Sequence, residues 1–139
     1  MELKLDAAAL SDIMRTEFSQ VAEDFVIEEV IPMQVRVRLP VAERHLRPGG
    51  TISGPAMFTL ADVSIYLATM AMIGPVTLAV TTNCSIDFMR KPAAGVDLIA
   101  TARLLKLGRL LAVGDVMIHS DGMDAPVARA SLTYAIPPR

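Results

Sequence analysis

Residues 53–74 read SGPAMFTLADVSIYLATMAMIG, and no other stretch restricts the fold as strongly. Ser53 suits a helix N-cap and Pro55 the first turn, while Gly74 and Pro75 mark the end. The helix between them is apolar almost all the way round, so it must be buried. Asp62 sits near its middle, and a buried carboxylate without a partner is costly. At about 100° per residue, Thr59, Asp62, Tyr66 and Thr69 share one narrow arc. One reading ties Asp62 to a threonine or tyrosine as a packing device; the other makes it a reactive group. The stripe holds no Lys or Arg to neutralise the acid. The helix start, GGTISGPA, also presents free backbone N–H groups at a positive helix end. Both features point to chemistry.

The 139 residues suffice for one domain with a real core, spanning 1–139. Hydrophobic residues make up 53% and charged residues 20%, a surplus that predicts apolar surface shared between subunits. Asp62 splits the best candidate for a membrane span, and the N-terminus MELKLDAAALSDIMRTEF lacks a signal-peptide core. A cytoplasmic protein is expected. With a net charge of −2, no basic run and 4% aromatics, there is no footprint for nucleic acid. The single cysteine, Cys84, has no thiol partner for a disulfide or metal site and reads as a small core residue.

Helical spacing of Leu10, Ile13, Met14, Phe18 and Val21 predicts an amphipathic helix over residues 5–22, within an N-terminal helical segment 1–24. Phe25 to Val41 reads as strand, and HLRPGG as a loop. After the apolar helix, four strands are expected in an antiparallel meander. In the first, TLAVTTNCSIDFM, alternation puts Leu78, Val80, Cys84, Ile86 and Phe88 on one face and Thr81, Asn83, Ser85 and Asp87 on the other. The next two form a hairpin around LGR, and VARASLTYAI closes the sheet. The architecture is α+β, a long central helix wrapped by an antiparallel sheet.

From about Val35 to Pro137 the chain resembles the hot-dog-fold thioesterase superfamily, specifically its PaaI-type acyl-CoA thioesterases. The resemblance lies in RPGGTISGPAMFTLADVSIYLA followed by VTTNCSIDFMRKPAAGVDLIATARLLKLGRLLAVGDVMI. It implies that Asp62 is the helix carboxylate acting as general base or nucleophile. It likewise implies that Gly54 gives its N–H to the thioester carbonyl, and that Thr81 is the strand hydroxyl assisting water. Ser53 stands where the family usually has histidine, Pro55 where it has a second glycine, and Arg47 where a loop asparagine is common. The substrate implied is a small or medium acyl- or aryl-CoA, with coenzyme A entering as part of the substrate and no separate cofactor or metal. Arg90 and Lys91, before Pro92, read either as a contact for its phosphates or as a solvated turn, with Arg47, Lys106 and Arg109 weaker candidates. Ser53, Asn83 and Tyr66 are further candidates for substrate contact, and Met57, Met70 and Met72 for the acyl pocket or the core.

Gly54 and Asp62 lie eight residues apart on one helix, so roughly 12 Å of rise separates them. One carbonyl cannot touch both. If both act, they come from different subunits, which predicts a homodimer with shared sites, with a homotetramer of two such dimers as the larger alternative. The alternatives are a non-catalytic acyl-CoA-binding module, and a hot-dog hydratase or dehydratase that would need His45 or His119 beside the acid.

Overall fold

The computed structural model describes residues 2–138. Helix α1 (Ala7–Glu17) starts at Asp6, whose side chain accepts from the Ala9 N–H at 2.9 Å. The helix expected through residue 22 breaks at Phe18 (φ −139°, ψ 50°), and a short α2 (Ser19–Ala22) follows. The break turns the Phe18 ring edge-on to Tyr66, with centroids 6.0 Å apart. Lys4 and Leu5 donate to the Ala71 carbonyl, and Leu10 and Met14 are buried, which fastens this segment to the core.

Residues 25–41 do not form one strand. They make a hairpin, β1 (Val26–Ile31) and β2 (Gln34–Leu39), turning at Pro32 and Met33. Proline interrupts strand pairing, and Met33 adopts φ 67°, held by its N–H on Met72 Sδ at 3.2 Å. The long helix α3 (Gly54–Ile73) is as expected, with Ser53 as N-cap. It is long and apolar enough to cross a bilayer by composition, but it is the core helix, with Leu60, Ile65, Leu67 and Met70 fully buried.

Strands β3 (Val80–Phe88), β4 (Leu98–Leu107), β5 (Leu111–Ser120) and β6 (Pro126–Ala135) complete one six-stranded antiparallel sheet, ordered β1-β2-β4-β5-β6-β3. Only β4, β5 and β6 form the expected meander. β3 lies at the far edge, paired with the last strand, so the connection after it crosses back over the sheet. The sheet curls round α3, which packs on β2, β4, β5 and β6. This is the hot-dog arrangement.

Gly114 of β5 sits where α3 and β4 leave no room for a side chain. A Cβ there would stand 2.6 Å from Ile65 Cδ1 and 2.7 Å from the Arg103 carbonyl oxygen. The isoleucine tip can move; the backbone carbonyl cannot. Gly114→Ala is therefore expected to cost about 1–3 kcal/mol, the usual scale of overpacking. A drop of several degrees in Tm on thermal denaturation checks this, and an unchanged Tm would show that β4 and β5 can separate locally.

Candidate active site

Asp62 is half-buried two turns into α3 and faces a cleft of about 520 Å³. Its Oδ1 accepts from the Thr81 hydroxyl at 2.5 Å and from the Tyr134 hydroxyl at 2.8 Å. Tyr134 also lies 3.0 Å from the Asp62 carbonyl oxygen. Oδ2 has no partner among the described residues. One carboxylate oxygen is thus anchored and the other keeps its lone pairs. Burial, then the charge of Asp62, raises the Tyr134 pKa well above the usual phenol range. Tyr134 therefore stays protonated and remains a donor.

The hydroxyls on Asp62's own helix do not reach it. Thr59, Ser64 and Thr69 each donate to the carbonyl four residues back, at Pro55, Leu60 and Ile65. Tyr66 lines the cleft but donates to the Thr77 carbonyl at 2.8 Å.

A β-bulge supplies Thr81. The β3–β6 register shifts between Thr81 and Asn83, so Thr81 pairs with Tyr134 and Asn83 with Thr133. The extra residue, Thr82, flips the alternation. Thr81 therefore shares the helix-facing side with Cys84, Ile86 and Phe88, which corrects the face assignment expected from the pattern. Val80 goes to the outer face and is 57% exposed. Asn83 also points away from α3 and is exposed, so it is not brought to Asp62. Cys84 is half-buried, and burial followed by the Asp62 charge pushes its thiol pKa up.

Gly54 sits in a different cleft, of about 420 Å³, with Arg47, Met57, Phe88, Arg90 and Lys91. Its N–H has no partner among the described residues. Phe88 closes over it: a Cβ on Gly54 would stand 3.3 Å from the ring. Ser53 is occupied as the cap, its Oγ accepting from the Ala56 N–H at 3.2 Å, and lines neither cleft. Arg90 donates to the Pro126 carbonyl at 2.5 Å, which leaves its other N–H groups available. Lys106 and Arg109 lie toward the β4–β5 turn, outside both linings. Met70 and Met72 are core residues, whereas Met57 lines the Gly54 cleft.

The candidates thus fall into two groups: Asp62, Tyr66 and Thr81 in one cleft, and Arg47, Gly54, Arg90 and Lys91 in the other. Their charges are opposite, acidic at the first and basic at the second. Sequence reasoning missed Tyr134, although an inward-facing tyrosine between Leu132 and Ile136 needs a buried partner for its hydroxyl. It also missed Glu17, Phe18 and Gln20, which wall the Asp62 cleft from the N-terminal segment.

A helix wrapped in an antiparallel sheet, with a carboxylate at mid-helix and an unpartnered N–H at its start, defines a hot-dog protein of the thioesterase type. The family model for the thioesterase superfamily matches residues 49–127, and the chain belongs to that superfamily. A Silicibacter sp. TM1040 protein solved as a candidate thioesterase is 54% identical and superposes with a TM-score of 0.91, covering 99% of this chain and 96% of that one. Human acyl-coenzyme A thioesterase 13 is 30% identical over 118 residues, 84% of this chain and 82% of its own. The Escherichia coli PaaI protein shares the fold at 23% identity, with a TM-score of 0.80 over 94% of this chain and 93% of that one.

Proposed function

We propose that the protein is an acyl-CoA thioesterase that cleaves a small or medium acyl- or aryl-CoA to the free acid and coenzyme A. The observation that carries this reading is the Asp62 carboxylate, with Oδ1 fixed by two hydroxyls and Oδ2 free at a cleft. Thr81 and Tyr134 hold the group in one rotamer, so Oδ2 can deliver its lone pair to the carbonyl carbon, directly or through a water. Thr81 spends its only proton on Asp62, so its oxygen can still accept a hydrogen bond from that water. The Gly54 N–H, at the positive end of α3, would stabilise the oxyanion. The name of the human relative supplies the class of thioester.

The two groups line different clefts of one chain, which supports a homodimer with each site shared between subunits. So does the sheet edge: Val80 and Phe88 of β3 and the flanking Leu78 and Met89 are exposed apolar residues on an edge strand with open backbone groups. Two such dimers would make a tetramer. The chemistry needs only side chains, backbone and water, with coenzyme A part of the substrate. Neither His45 nor His119 lines the Asp62 or Gly54 cleft, so no observation favours a hydratase. Incubating the protein with a panel of acyl-CoA thioesters and reading thiol release tests the proposal. Release from none of them would leave a binding module.

Arg47, Arg90 and Lys91 give the Gly54 cleft the charge to meet coenzyme A phosphates. Replacing Arg90 and Lys91 together by alanine is expected to raise KM several-fold and flatten its dependence on salt, with kcat little changed. A KM for acyl-CoA equal to that of the wild type would make this turn a solvated one.

A further inference from the structure

The Asp62 cleft carries a second carboxylate. Glu17 lines it from the C-terminal end of α1, beside Phe18 and Gln20. Among the described residues Glu17 forms no ion pair or hydrogen bond, and no Lys or Arg lines the cleft with it. Its charge reaches inward, since after burial it is what raises the Tyr66 pKa. Its position is also locally unfavourable. A negative charge in the last turn opposes the helix dipole, where a cation would stabilise α1. Glu17 is exposed and solvated, so what sets it apart is its place on the wall of the cleft at a helix end that favours a cation.

Three aromatic rings share the wall with Gln20, Thr77, Ala79, Val80 and Thr81. Phe18 stands edge-on to Tyr66, and Tyr66 lies 6.0 Å from Tyr134 at an interplanar angle of 30°. The cleft therefore offers apolar surface to an acyl chain and negative charge to whatever lies at its far end. We propose that Glu17 is a specificity residue, making the acyl end of the site select uncharged apolar or aryl groups and reject acyl groups that end in a carboxylate. This rests on the thioesterase reading, which puts the acyl group beside Asp62. A terminal carboxylate entering there would meet the half-buried Asp62 and, at the exposed rim of the cleft, Glu17 as like charges. Rejecting a competitor by repulsion is a recurrent source of specificity.

Two thioether analogues that cannot be hydrolysed test this by calorimetry: S-hexyl-CoA, and S-(5-carboxypentyl)-CoA, in which a carboxylate replaces the terminal methyl. Wild type is expected to bind the hexyl analogue at least tenfold more tightly. The ratio of the two affinities should shrink several-fold in Glu17→Gln and approach one in Glu17→Lys. Neither substitution opposes the helix dipole, and circular dichroism confirms the fold. The same ratio in wild type and Glu17→Lys overturns the inference, as does failure of both analogues to bind wild type. The catalytic reading is scored separately, by thiol release across the panel of acyl-CoA thioesters. A shifted ratio without hydrolysis would sink that reading and keep this one; hydrolysis with an unshifted ratio would do the reverse.

Discussion

Asp62→Asn is expected to lower thiol release from acyl-CoA by about a hundredfold or more, the usual scale for a lost general base. The geometry explains why such a loss can be assigned to chemistry. Asparagine keeps an Oδ1, so it can accept the same two bonds from Thr81 and Tyr134. What changes is the free oxygen, which becomes an NH2 group with no lone pair to offer. The fold and the oligomer should therefore survive, as circular dichroism and gel filtration would show. An asparagine variant that turns over at a near-normal rate would return Asp62 to a packing role, tying α3 to β3 and β6.

The second large effect is a recovery of activity. Gly54→Pro removes the N–H at the first position of α3, where proline is well tolerated. Its ring would crowd Phe88, which is 52% exposed and can swing outward. This variant and Asp62→Asn should each be inactive as homodimers. If each site takes Gly54 from one subunit and Asp62 from the other, a mixed dimer has one site with both defects and one with neither. Random mixing in equal amounts makes half the dimers mixed, each with one good site of two, so about a quarter of wild-type activity returns. Were both groups drawn from one chain, every site would carry a defect and nothing would return. Co-expression with two tags, followed by purification on both, gives the decisive sample. Inactive mixed dimers, beside wild-type dimers that survive the same handling, would rule out the shared site.

What the sequence made legible was local. The apolar run of α3, its cap at Ser53, its end at Gly74 and the odd acid at Asp62 all follow from residues within a few turns of one another. So does the clustering of Arg90 and Lys91 before Pro92. What stayed hidden depends on partners distant along the chain. Pairing β3 with β6 joins residues 80–88 to 128–135, and nothing in either strand announces the other. The bulge at Thr82 was masked because Leu78, Val80, Cys84, Ile86 and Phe88 remain in phase across it. The phase is real, but the backbone turns Val80 outward and Thr81 inward. Tyr134 was overlooked for the same reason: its role appears only once β6 lies beside the carboxylate. The hairpin at Pro32 was readable, since a proline inside a strand pattern argues for an interruption.

The place of β3 in the sheet also bears on the order of assembly during synthesis. Among the described residues its only strand neighbour is β6, so within the chain residues 80–88 have nothing to pair with until some forty residues later have left the ribosome. Until then α3 lacks two of the walls that shield it, and a twenty-residue apolar rod waits beside an unpaired strand. Chains that depend on such distant pairings fold slowly and expose sticky surface on the way. A nascent chain stalled before β6 should thus bind chaperones far longer than one stalled just after it. A premature stop before Pro126 would remove the Tyr134 anchor and the support of β3 at a single stroke.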